Sequence, residues 1–115
     1  MQRRTYMKVY QLKVSIKNAH PPIWRRCIIP AGITFSQLGV LLNEIMGWNG
    51  SHLFSFEFRD IGVRIEEVPD DDWGYWGFDA EEASETLIDP YMEHSKWFTY
   101  TYDFGDDWEH RADIE

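Results

Sequence analysis

At 115 residues, 43% hydrophobic and 27% charged, the chain holds enough for one domain with a core of its own and too little for two. Its net charge of -9 disfavours a phosphate-backbone partner, no apolar run approaches the roughly 18 residues of a membrane span, and the single Cys27 excludes an internal disulfide and any multi-cysteine zinc motif. Arg3 and Arg4 are not followed by an apolar signal segment, so a cytoplasmic protein is expected.

Tyr10, Leu12, Val14 and Ile16 alternate with Gln11, Lys13, Ser15 and Lys17, which predicts a strand with one wet face. The tract from Asn18 to Pro22 ends it. Ile23 to Pro30, rich in β-branched and aromatic residues, is expected to return as the second arm of an antiparallel hairpin, with a mixed parity that leaves its buried face open. Thr34 and Gln37 match a capping box, and Phe35, Leu38, Leu41, Leu42, Ile45 and Met46 form one stripe, so a helix follows and Gly47 stops it. Gly39 inside that helix costs about 1 kcal/mol against Ala. His52, Phe54, Phe56 and Phe58 then share one face of a third strand, and Val63 and Ile65 add a short fourth.

Between Glu66 and Glu85 the composition changes, carboxylates being interleaved with Trp73, Tyr75, Trp76 and Phe78. This predicts a long acidic, aromatic loop that leads into a short helix near Ala80 to Ile88, closed by Pro90. Trp97 to Phe104 alternates cleanly, Gly105 and Asp106 turn the chain, and Trp108 to Glu115 alternates again, giving a C-terminal β-hairpin. The expected architecture is a single α+β domain over residues 1–115. Its helix packs across a mixed or antiparallel sheet, with a β-grasp-like topology as first expectation.

Charge is divided unevenly. Residues 1–43 carry +7 with no acidic side chain among them, and residues 44–115 carry -16. A basic half can mark a nucleic-acid binder, but the same asymmetry arises when strands of one domain pair their charges, and the net charge favours the second reading.

Two histidines lie on aromatic strand faces: His52 in line with Phe54, and His110 in line with Trp108, Ala112 and Ile114. If their strands are neighbours, His52 and His110 with Asp103, Asp106 or Asp107 could form a mixed His/carboxylate metal site. The alternative is a pair of core-edge histidines bonded to carbonyls or a carboxylate. No EF-hand spacing fits the acidic stretch, where Pro69 or Gly74 would fall on ligand positions. Trp73, Tyr75 and Trp76, flanked by charge, suit a protein interface instead. Cys27, inside a strand, reads as a packing residue, and there is no Gly-x-Ser-x-Gly motif, phosphate-cradling loop or dinucleotide fingerprint.

Ile23-Trp24-Arg25-Arg26, Phe35-x-x-Leu38, Trp48 with Ser51-His52-Leu53-Phe54-x-Phe56, and the run from Tyr100 to His110 together resemble the plasmid pRiA open-reading-frame-three-like family. The resemblance covers nearly the whole chain, and its last string is the most specific. It implies a small α+β domain of plasmids, mobile elements and chromosomes, without an established activity. It also implies relatives that continue past this hairpin into a Cys-Pro-Pro-Glu-Asp-like segment, so a chain truncated at its C-terminus is expected. The leading functional expectation is a non-catalytic protein-interaction module using Trp73, Tyr75 and Trp76. The alternative is a metal-dependent hydrolase or nuclease using His52, His110 and Asp103, Asp106 or Asp107. Neither a cofactor nor a particular partner is named by the sequence.

Overall fold

The computed structural model of the chain describes residues 8–47, 54–66, 80–102 and 108–115. Alternation produces β1 (Val9–Ile16), which buries Tyr10, Leu12 and Val14 on one face. β2 (Trp24–Pro30) returns antiparallel to it, with Leu12 opposite Cys27. Its mixed parity has a positional cause: β2 is a rim strand and buries only Ile29.

The capping box forms as expected. Thr34 Oγ1 accepts the Gln37 N–H at 3.2 Å and the Gln37 side chain accepts the Thr34 N–H at 2.9 Å, which starts α1 (Phe35–Met46). Gly47 ends it at φ 81°, donating to the carbonyls of Asn43 and Glu44. Phe35, Leu38, Leu42 and Met46 are buried. Gly39 is buried too, and a Cβ there would fall 2.3 Å from Cζ of Phe54. The glycine lets the helix lie directly on that ring.

Phe54 opens β3 (Phe54–Phe58), followed by β4 (Val63–Glu66), β5 (Ala80–Glu82), α2 (Asp89–His94), β6 (Trp97–Tyr102) and β7 (Trp108–Ile114). The seven strands form one sheet in the order β2-β1-β7-β6-β3-β4-β5. Every neighbouring pair is antiparallel except β4 with β5, so the sheet is mixed and the fold is α+β. The first and last strands lie side by side, as in a β-grasp, but β1 and β7 run antiparallel where a β-grasp pairs them parallel.

Both helices pack on the same face. One core row crosses five strands, from Ile16 through His110, Tyr100 and Phe56 to Ile65. Above it Phe35 meets Phe56 at 5.1 Å and Phe58 at 5.8 Å between ring centroids, and Tyr91 of α2 meets Phe58 at 5.1 Å. Each such pair adds roughly 0.5–1.5 kcal/mol beyond its buried area. Among the described residues no helix is long and apolar enough to cross a membrane.

Two expectations are corrected between Glu66 and Pro90. Ala80 to Ile88 is not a helix: Ala80–Glu82 is β5, paired parallel to β4, and a turn over 83–85 follows. Pro90 does not close a helix but stands in the first turn of α2. Proline has no N–H to lose there, and its fixed φ suits a helix start. Glu66, counted with the acidic stretch, is a buried residue of β4 whose carboxylate lies 2.6 Å from Arg64.

The charge asymmetry is partly consumed inside the domain. Lys8 pairs with Glu93, Lys17 with Glu109 at 3.3 Å and Arg26 with Glu115 at 2.9 Å, each joining the basic first segment to the acidic remainder.

Candidate functional site

His110 is the one predicted metal ligand among the described residues. It sits at the β7 position opposite Tyr100, fully buried, with its ring 5.2 Å from that of Tyr100. Its Nδ1 is 3.1 Å from the carbonyl oxygen of Tyr100. Burial pushes its pKa down, against backbone hydrogen bonds with Tyr100 and Trp108 that favour the proton. The Tyr100 hydroxyl in turn donates to Oδ1 of Asn43, a buried residue of α1. These contacts tie α1 to the middle of the sheet by polar bonds inside an apolar layer. Among the described residues, no buried side-chain nitrogen or oxygen lacks a partner. Nδ1 of His110 is thus engaged by a backbone carbonyl in the middle of the sheet.

β3, which follows the His52 segment in the chain, and β7, which carries His110, are not neighbours, because β6 lies between them. His52, Asp103, Asp106 and Asp107 lie outside the described residues, as do Trp73, Tyr75 and Trp76. Their flanks are placed. Phe54, Tyr102 and Trp108 form one row at one end of the sheet, so the chain leaves for 48–53 and for 103–107 from the same rim. Glu66 and Ala80, which bracket 67–79, belong to the paired strands β4 and β5. Among the described residues, no three His, Cys, Asp or Glu side chains are placed to hold a metal ion.

Cys27 is half-buried, and burial pushes its thiol pKa up, the opposite of an activated nucleophile. A surface cavity of about 240 Å³ at the β3–β4 hairpin is lined by Glu57, Arg59, Gly62, Val63 and Arg64. Both of its guanidinium groups already hold carboxylates, Arg59 that of Glu57 and Arg64 that of Glu66.

Sequence reasoning missed the face opposite α1. There Lys13 Nζ lies 4.9 Å and Arg26 5.3 Å from the centre of the Trp24 ring, and Arg111 lies 4.5 Å from that of Trp97. The signal was present in Trp24-Arg25-Arg26, where successive residues face opposite ways, so that Trp24 and Arg26 share one face. It also missed Asp89, whose two oxygens accept from the Tyr10 hydroxyl and the Gly32 N–H, each at 2.9 Å.

The fold is shared with the protein of unknown function MM3350 from Methanosarcina mazei Go1. That crystal structure is similar at a TM-score of 0.78 and 33% identity, over 96% of this chain and 61% of that one. The uncharacterized protein y4hQ of Sinorhizobium fredii (strain NBRC 101917 / NGR234) is 40% identical over 108 residues, 93% of this chain and 53% of its own length. The chain therefore spans little more than half the length of that curated relative. Residues 8–115 match the family described as Plasmid pRiA4b ORF-3-like protein, and the chain belongs to that family.

Proposed function

We propose that this member of a plasmid-type family is a non-catalytic protein-interaction module whose contact surface contains Trp73, Tyr75 and Trp76. The observation that carries the reading is the double anchorage of 67–79: it is bracketed by Glu66 and Ala80 on two paired strands at one rim of the sheet. Anchored ends limit how far the segment's side chains can stand from this rim and so reduce the entropy lost on binding. Aromatic rings among carboxylates provide large contact area inside a polar rim. The test is affinity capture with the intact chain beside Trp73→Ala/Trp76→Ala, with a thermal melt of each. The reading expects capture to be lost while the melting temperature stays within a few degrees, and unchanged capture refutes it.

A second reading, a metal-dependent hydrolase or nuclease using His52, His110 and Asp103, Asp106 or Asp107, draws support from the Phe54–Tyr102–Trp108 row, whose strands lead to both motif segments. It requires stoichiometric metal to stay with the protein through dialysis, and a metal-free protein after loading with zinc or manganese ends it.

A further inference from the structure

The rim opposite β5 is β2, and its hydrogen-bonding phase can be read from the ladder. Ala31 N–H donates to the Lys8 carbonyl and Ile16 N–H to that of Ile23, each at 3.0 Å, at the two ends of the β1–β2 pairing. Antiparallel pairs alternate between exchanging and not exchanging backbone bonds. Arg25, Cys27 and Ile29 therefore turn their backbone groups inward to β1, whereas Trp24, Arg26 and Ile28 turn theirs outward. Among the described residues no strand follows on that side. Pro30, next in the outward series, has no N–H to offer.

The same three residues place their side chains on the face opposite α1, where Trp24 is 48% and Ile28 58% exposed, with the exposed Arg26 between them. One strand thus joins an open backbone edge to a row that reads apolar, cationic, apolar. We propose that the outer edge of β2 binds an extended segment of a partner protein by strand addition, a segment whose alternate residues read apolar, acidic, apolar. Each of Trp24, Arg26 and Ile28 would exchange backbone bonds with the residue opposite, and the central acid would meet Arg26.

Charge selects this occupant. Arg26 already grips a carboxylate through two nitrogens, Nε at 2.9 Å and Nη2 at 3.3 Å from the oxygens of Glu115. Lys13 stands opposite Arg26 on β1, and Arg25 follows Trp24 on β2. A second copy of this strand would bring two such edges together, whereas an acidic segment meets Lys13 and competes with Glu115 for the Arg26 guanidinium. The same arginines and proline that discourage indiscriminate edge pairing narrow the choice to a carboxylate-bearing strand. This surface is at the other rim from β4 and β5, and the inference is independent of the reading proposed above.

The test is selection of a random nonapeptide phage library on the intact chain, followed by titration of the selected synthetic peptides. Ile28→Pro removes one outward N–H without touching the β1 ladder, and Arg26→Glu reverses the central charge. The expected peptides carry a carboxylate flanked at two-residue spacing by apolar side chains, and bind Arg26→Glu more weakly by about tenfold or more. Ile28→Pro also weakens them, with circular dichroism of both variants unchanged. If Ile28→Pro fails to fold, Arg26→Glu still decides the matter. No peptides above background, peptides without the alternation, or binding that survives the charge reversal would overturn the proposal. So would a wild-type dimer in sedimentation that Arg26→Glu strengthens or leaves intact and that blocks peptide binding.

Discussion

Replacing Gly39 by Ala separates two physical effects of opposite sign. Helix propensity alone favours Ala by about 1 kcal/mol in a helix interior. The packing says otherwise: the new Cβ would fall 2.3, 2.5 and 2.7 Å from three carbons of the Phe54 ring. Carbon atoms rest roughly 3.5–4.0 Å apart, so the ring or the helix must move by more than about 1 Å. The ring has little room, because it sits 5.6 Å from Phe56 and 6.0 Å from Tyr100 between centroids. Overpacking of this kind costs about 1–3 kcal/mol, and contact with three atoms puts it at the upper end. Offset by propensity, Gly39→Ala should destabilise by about 2 kcal/mol. For a domain of this size that lowers Tm by roughly 8 °C. Urea unfolding at matched m-values reads the change directly. Phe54→Leu should absorb the added methyl, so the double variant is less destabilised than the two singles added together, by about 1 kcal/mol or more. A Gly39→Ala protein as stable as wild type, or more stable, would refute the reasoning.

His110 should make stability depend on pH. Its pKa is lowered from 6.5 by burial, so the unfolded chain binds the proton more readily. The contribution is intact above about pH 6.5 and is lost as pH falls below it toward the folded value, with a limiting slope of about 1.4 kcal/mol per pH unit. In urea titrations between pH 7 and 5, His110→Gln should show a shallower loss than wild type, and parallel curves would count against a neutral buried ring. Asp89→Ala should destabilise by about 2 kcal/mol, because it leaves the Tyr10 hydroxyl and the Gly32 N–H without their acceptor. A loss below about 0.5 kcal/mol in chemical denaturation would mean that water replaces both bonds.

The legible parts of this fold are those whose local pattern and tertiary role agree. β1, α1 and β6 bury most of the stripes that their alternation or capping marks, Ile16, Leu41 and Ile45 being half-buried, and Phe54, Phe56 and Phe58 are buried as their spacing requires. β5 is illegible because Ala80-Glu81-Glu82 has no apolar period, and its strand state is set by pairing with β4. α2 was hidden by Pro90, since a proline can end one helix or begin another. Trp108 shares the parity of His110 and Ala112 yet is exposed, because it is the first residue of β7 and stands at the sheet's end. In the candidate site, the burial of His110 was legible, whereas the placing of β6 between β3 and β7 depends on strand order, which periodicity does not encode. The edge of β2 was hidden for the same reason.

Strand order also sets a schedule. The first hairpin, β1 with β2, joins the rest of the sheet through β7. Contacts along that seam join residues such as Lys17 and Glu109, 92 positions apart, and long separations slow folding. During synthesis the inner edge of β1 therefore stays open until the ribosome has released the residues of β7, an interval in which bare strand edges invite aggregation. Throughout it the nascent hairpin bears Lys13, Lys17, Arg25 and Arg26 with no acidic residue of its own segment to cancel them. Like charge of this kind opposes edge-to-edge pairing between two such hairpins. Glu109 and Glu115 emerge long after the hairpin and pair with Lys17 and Arg26, so part of the charge that the hairpin carries is neutralised as the sheet closes.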